Sequence, residues 1–210
     1  MPSTRVTRLR EMQVHERQAL DGLLDGVRVG HVGMTTDDQP VVIPTAIARD
    51  GDAVLVHGST GSGWMRLAAG GAPACLAVTA LDGIVVARST FESTFHYRSA
   101  VIFGVFERLE GRRKERALDV VVEKLIPGRL SEVRRPSPGE INKTMVLSLP
   151  LETWSLKVSD GWPDDDDEDV AGPAWAGVVP LVQRAHSARP APDLRTGIPI
   201  PASVAALTDV

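Results

Sequence analysis

The chain has 210 residues, 43% of them hydrophobic, a formal net charge of −4 and a pI of about 5.7. That is enough apolar material for one sizeable core, and no basic surplus points to nucleic acid. No apolar run approaches the roughly 18 residues of a membrane span, the N-terminus has no signal-like apolar stretch, and a single cysteine forbids an internal disulfide, so a cytoplasmic protein without membrane association is expected.

Residues 1–14 read as an extended arm. His15 to Leu24 places Leu20, Leu23 and Leu24 at helical spacing and stops at Gly26, which predicts a short amphipathic helix. Val27 to Thr36 alternates as a strand. Asp37-Asp38-Gln39-Pro40 reads as a turn, and Val41 to Arg49 as a second strand that contains Pro44. A proline there marks an edge, a bulge, or a place where one ladder gives way to another. Asp50-Gly51-Asp52 closes a hairpin onto a third strand, Ala53 to His57.

The stretch from Ala53 to Arg66 carries the clearest chemical signal. A strand opens through Gly58-Ser59-Thr60-Gly61-Ser62-Gly63 into a helix start at Trp64 and Met65. Free N–H groups in a first helical turn, small residues and hydroxyls suit a phosphate, with Arg66 one turn in as a charged donor. The alternative local reading is an ordinary helix capped by Ser62. Gly70-Gly71-Ala72-Pro73 stops that helix.

Ala74 to Arg88 reads as one long bent strand or as two around Asp82-Gly83, with Cys75 a buried apolar filler. Ser89 to Tyr97 is polar and aromatic. Arg98 to Leu109 is a strand with Gly104 at a bulge or close approach. Arg112 to Leu125 is an amphipathic helix, ended by Pro127-Gly128. Residues 129–142 read as a connection, and Met145 to Val158 as a last strand or strand pair. Asp164 to Asp169 is an acidic run read as a solvated turn, with Arg129, Arg134 and Arg135 as counter-charges. Residues 183–210 read as a terminal arm, which leaves one domain over 15–182. Six or seven short-spaced strands with few helices suit an antiparallel barrel decorated by helices.

Several chemistries lack their signatures. His31, His57, His96 and His186 are scattered, with no ligand-spaced pair, so no metal site is expected. There is no G-x-S-x-G elbow and no Gly-Lys-Ser/Thr after the glycines.

Six stretches, in order, carry a family resemblance: V-V-I-P-T (41–45), L-V-H-G-S-T-G-S-G-W-M-R (55–66), V-T-A-L-D-G-I-V-V-A-R-S (78–89), F-H-Y-R-S-A-V-I-F-G (95–104), K-L-I-P-G-R (124–129) and residues 161–181. Together they resemble the pyridoxamine 5′-phosphate oxidase-like flavin-binding split barrels, in the branch related to nitroimidazole-resistance reductases. The resemblance implies a mainly β fold, a six-stranded antiparallel Greek-key split barrel with peripheral helices. It implies a homodimer with flavin mononucleotide (FMN) at the interface. Ile43, Pro44 and Thr45 would face the flavin ring. His57, Gly58, Ser59, Ser62, Gly63, Trp64 and Arg66 would approach the ring and phosphate. Tyr97, Arg98, Ser99 and Trp175 would come from the partner subunit.

The expected activity is electron transfer from NAD(P)H to a small acceptor such as a nitroaromatic. The alternatives are a haem-binding or haem-degrading protein, with His57 or His96 as axial ligand, and a non-catalytic flavin carrier; a deazaflavin would suit the same cradle. His57 and His96 are also the candidate catalytic groups. Family members often carry Arg or Lys where this chain has Gly63 and Trp64, so Arg66 is the only cation of that turn. Groups that would hold pyridoxal phosphate as substrate are not matched, so vitamin B6 oxidation is not expected.

Overall fold

The computed structural model describes residues 4–208. Ten strands form a single, mostly antiparallel sheet whose path is bent into a ring. A short strand β1 (Gln13–Val14) leads into helix α1 (Arg17–Gly26), followed by β2 (Val29–Thr36), β3 (Gln39–Asp50) and β4 (Ala53–Ser59). Helix α2 (Gly63–Ala69) precedes β5 (Pro73–Val86), β6 (Thr94–Val105) and β7 (Glu107–Leu109). Helices α3 (Gly111–Leu125) and α4 (Pro138–Lys143) are followed by β8 (Thr144–Pro150) and β9 (Thr153–Ser159), and then by α5 (Asp167–Val170), β10 (Gly177–Pro180) and α6 (Ala202–Thr208).

The ring runs β6-β5-β2-β3-β4-β8-β7. It closes because β6 and β7 are one strand interrupted at Phe106, a buried residue. The first part pairs with β5 and the second with β8. Six barrel strands, with the crossing from β4 to β5, make the Greek-key split barrel expected from the sequence. Outside the ring, β9 pairs with β6, β1 with β9, and β10 with β5.

Residue type explains the two layers of the barrel wall. Along β2, β5 and β6 apolar residues alternate, so Val32, Leu76, Val78, Ala100 and Ile102 point inward and are almost fully buried. Helix α1 plugs the barrel with Leu20, Leu23 and Leu24, which lie three and four residues apart and so share a face. Helix α2 adds Met65 and Ala68 to the same core. A second cluster lies outside the wall, where Ala117 and Val121 of α3 cover Ala48, Leu55, Leu109 and Val146.

Several boundaries differ from the sequence reading. The turn after β2 is only Asp37-Asp38, both with positive φ (49° and 59°), because Thr36 pairs with Gln39 across a two-residue loop. Pro40 therefore lies inside β3. β5 is a single strand with a bulge at Leu81/Gly83, and Asp82 is the extra residue. Gly104 is a close approach: an added Cβ would lie 3.1 Å from Leu149 Cδ1. The connection at 129–142 ends in α4, which starts with a full capping box between Ser137 and Glu140 and has Pro138 in its first turn. Of the N-terminal arm, Gln13 and Val14 pair with the edge of β9. Ala202–Thr208 form α6, docked where Glu132 accepts from both the N–H and the hydroxyl of buried Ser203.

Gly30 marks how tightly the barrel is packed. An added Cβ would lie 2.8 Å from Leu76 Cδ1 and 3.0 Å from Ile47 Cγ2. Gly30→Ala is expected to destabilise the fold by about 1–3 kcal/mol through overpacking. A lowered urea midpoint is the expected result, and an unchanged one would show slack in the core.

Candidate functional site

Strand β3 is shared unequally. Residues 39–46 pair with β2, and residues 47–50 pair with β4, the last pair being Ile47 with Val56. Beyond that pair β3 and β4 part. Ile43-Pro44-Thr45 forms one side of the resulting wedge, and His57-Gly58-Ser59 the other. Pro44 belongs at such an open edge because it has no N–H to give a ladder. Ile43 and Thr45 are half-buried and Pro44 is exposed. β4 stays straight because it is paired with β8 along its whole length, His57 opposite Val146 and Ser59 opposite Thr144.

The loop that follows is held from within. Thr60 N–H donates to Lys143 O (3.0 Å), Gly61 N–H to Ser59 Oγ (3.1 Å) and Ser62 N–H to Ser59 O (3.0 Å). These three amides are therefore spent, and the loop backbone is not the open anion cradle that its glycines suggested. Ser62 does occupy the N-cap position of α2, yet its side chain makes no capping hydrogen bond. The capped-helix reading thus holds for the position of Ser62 and not for its side chain. The first-turn N–H groups of Gly63 and Trp64 have no partner within the helix, and the Ser62 hydroxyl makes no hydrogen bond among the described residues. Trp64 packs against the main core and Arg66 is exposed. The Arg66 guanidinium reaches only Thr60 O, at 3.4 Å, and has no carboxylate partner among the described residues.

His57 is the unusual group of the wedge. Its Nδ1 is buried and has no hydrogen-bond partner among the described residues. Burial holds its pKa below the ordinary 6.5, so the ring is neutral at pH 7. An unpaired buried nitrogen costs on the order of 1–3 kcal/mol, and such groups persist where function needs them.

The other candidates from the sequence lie on β6 and beyond. His96 is tied through Nε2 to Gly161 O at 2.8 Å. Lys157 Nζ lies 5.9 Å from the centre of the Tyr97 ring. Ser99 is half-buried between Thr79 and Lys157. Arg98 is engaged twice by Asp82, at 2.8 and 2.9 Å, and that pairing holds the Asp82 carboxyl below its usual range. Trp175 is exposed, with its ring laid over Gly177, where an added Cβ would lie 2.8 Å from Trp175 Cη2.

The acidic run is not simply a solvated turn. The Asp165 side chain is fully buried and accepts from the N–H (2.7 Å) and the guanidinium (2.9 Å) of Arg88. Arg129, Arg134 and Arg135 instead pair with Glu132, Glu140 and Asp119. The Asp165–Arg88 pair, the Lys143 carbonyl and the Asp82–Arg98 pair all shape the site's surroundings. Arg98, the Asp82-Gly83 break and the acidic run were visible in the sequence, but none of these pairings was.

The sequence profile of the pyridoxamine 5′-phosphate oxidase family matches residues 16–158. The chain belongs to this family. The resemblance read from the sequence is thereby borne out, and so is the split-barrel fold. Among solved structures, an FAD- and haem-binding protein from Mycobacterium smegmatis is 47% identical, with 94% of this chain and 97% of that chain covered and a TM-score of 0.91. A flavocytochrome from Azotobacter vinelandii is 32% identical, with 97% and 95% covered and a TM-score of 0.90. A protein from Bacteroides thetaiotaomicron assigned to 5-nitroimidazole antibiotic resistance shares the fold at 18% identity, with 70% and 86% covered and a TM-score of 0.59. No curated protein matches the chain.

The His57 environment gives a direct test. Protonation would add a charge that the folded state disfavours and the unfolded chain accepts. The stabilising contribution of neutral His57 is therefore complete above pH 6.5 and is lost as the pH falls below it. In a nuclear magnetic resonance titration of the cofactor-free protein, the His57 ring is expected to titrate below 6.5. A midpoint at or above 6.5 would contradict the burial argument.

Proposed function

We propose that this protein is a flavin-dependent oxidoreductase that also takes haem and works as a homodimer. The observation that carries the proposal is the match at 47% identity over 94% of the chain to a protein described as binding FAD and haem. The match to a flavocytochrome, over almost the whole of both chains, supports it independently. On this ground the flavin we propose is FAD, in place of the FMN that the family resemblance alone implied.

The residues of the wedge fit a flavin. The strand edge at Ile43-Pro44-Thr45 is not covered by β4, so a flat ring has backbone groups to meet there. The buried, unpartnered Nδ1 of His57 lies on the other side. The Ser62 hydroxyl, the first-turn N–H groups of α2 and the Arg66 guanidinium, which lacks a carboxylate partner, are the groups that would hold phosphate. A flavin supplies hydride and single-electron chemistry, and a haem single-electron and dioxygen chemistry. The protein's part is to bind and orient the two and to exclude water. The donor we propose is a reduced nicotinamide and the acceptor a small molecule. His57 serves as a neutral wall of the pocket, since movement of a hydride needs no protein acid.

The homodimer is supported by the apolar side chains that the second half of β5, the start of β6 and the chain at 160–182 leave uncovered. Leu81, Ile84, Phe95, Trp162, Trp175 and Val179 are all exposed, and large apolar residues left in the open on neighbouring segments suit an interface.

The test is FAD binding by the purified protein and its Arg66→Ala variant, followed by quenching of flavin fluorescence. Loss of one charged hydrogen bond is expected to weaken binding by about 1.5–3 kcal/mol, roughly tenfold to a hundredfold. Unchanged affinity would place the phosphate elsewhere, and no binding by the parent protein would refute the function.

A further inference from the structure

β10 ends at Pro180 and α6 begins at Ala202, and the chain between them holds no helix or strand. It is fixed at both ends. At one end Leu181 N–H donates to Asp82 O at 3.0 Å. At the other, the Glu132 carboxylate accepts from the N–H (3.0 Å) and the hydroxyl of Ser203 and so caps the first turn of α6 from a distant segment. Arg129 Nη1, 3.1 Å from that carboxylate, holds it in place.

Between the two anchors the chain is an arch. Residues 182–200 make no hydrogen bond or ion pair with any other part of the described chain. Their own bonds, Leu194 N–H to Ala191 O and Ile198 N–H to Arg195 O, are local turns. A segment of this length without secondary structure is uncommon in a compact domain and as a rule serves a purpose. Pro190, Pro192 and Pro199 restrict its backbone, which lowers the entropy lost on docking. Val182, Leu194, Ile198 and Ile200 are all exposed. The arch is also hollow. A cavity of about 640 Å³ lies within it, lined by Arg189, Leu194, Ile198, Ile200 and Val204 among others, whereas a compact surface loop ordinarily packs its interior with its own side chains.

Charge indicates what covers the arch. It carries Arg184, Arg189 and Arg195 against Asp193 alone, on a chain of net charge −4. None of the three arginines has a carboxylate partner among the described residues. The opposite charge stands on the lobe at residues 160–169. There Asp160, Asp164, Asp166, Asp167, Glu168 and Asp169 have no cationic partner among the described residues, since Arg88 serves Asp165. Trp162 stands among these carboxylates and is 79% exposed. The lobe belongs to the apolar surface assigned above to the homodimer, and the arch continues that surface directly from β10.

We propose that in the homodimer each arch closes over the acidic lobe of the other protomer, with Trp162 of the partner subunit seated in the hollow and the carboxylates around it paired with the arch arginines; this rests on the homodimer reading above. The two surfaces do not meet within one chain, so a second copy satisfies both. A two-fold axis makes the contact twice, arch to lobe in each direction. A large aromatic side chain entering an apolar hollow, ringed by ion pairs, is the arrangement in which a few residues carry most of an interface's affinity.

The test is the dimer dissociation constant, measured by analytical ultracentrifugation, for the parent chain and four variants whose fold is verified by far-ultraviolet circular dichroism. The parent is expected to dimerise, more weakly as salt is raised. The arch variant Arg184→Glu/Arg189→Glu/Arg195→Glu and the lobe variant Asp164→Lys/Asp166→Lys/Asp167→Lys are each expected to dimerise about a hundredfold more weakly. Mixed together, they are expected to form a heterodimer of parent-like affinity, because each reversed surface then meets its complement. Trp162→Ala is expected to weaken the dimer about tenfold, and Arg112→Gln, an exposed cation of α3, to leave it unchanged. A parent-like dimer in the arch variant or in Trp162→Ala, no recovery on mixing, or equal weakening in Arg112→Gln would overturn the arch assignment while leaving the homodimer standing. A parent chain that stays monomeric would overturn both.

Discussion

The structure depends on one strand that cannot satisfy two neighbours along its whole length. β3 pairs with β2 up to Ala46 and with β4 from Ile47, so the sheet changes partner in mid-strand. Pro44 sits on the part that β4 leaves uncovered, where a missing N–H costs least. On the far side, β6 runs through Phe106 into β7 and closes the ring. Without the fork the barrel would be continuous and would have no cleft. With it, a strand edge and the tip of β4 face each other across an opening whose backbone groups the ladder does not use.

The packing keeps that opening in place. α1 and α2 fill the barrel with Leu20, Leu23, Leu24, Met65 and Ala68, and α3 covers the outer side of β3 and β4. The loop at 59–62 adds two internal hydrogen bonds and a tether to Lys143. A rigid frame of this kind allows one unsatisfied nitrogen, His57 Nδ1, to persist at the cleft. It also leaves Arg66 without a carboxylate partner among the described residues, on a surface where ten arginines have one. Unpaired cations on a protein of net charge −4 are positions from which an anionic cofactor gains the most.

Much of this was legible in the sequence, where local chemistry and tertiary context agree. The period of the leucines gave α1 and that of the alanines and valines gave α3. Pro44 announced a break in the ladder, and the ordered motifs gave the barrel. What was not legible depends on partners distant along the chain. Nothing in Gly58 to Ser62 says that Lys143 will consume an amide there. Nothing in the acidic run says that Asp165 alone is buried, against Arg88, 77 residues earlier. One signal was present and passed over: Ser137-Pro138-Gly139-Glu140 has the capping-box spacing, and it starts α4.

The claim that bears the rest is that the fork of β3 is the flavin site. Amide hydrogen exchange, compared with and without bound FAD, tests it residue by residue. The account predicts slowed exchange concentrated in residues 41–46 on the uncovered edge and in residues 57–66 at the tip of β4 and the first turn of α2. Exchange unchanged in both stretches, with protection appearing elsewhere on the barrel or at 188–204, would contradict it.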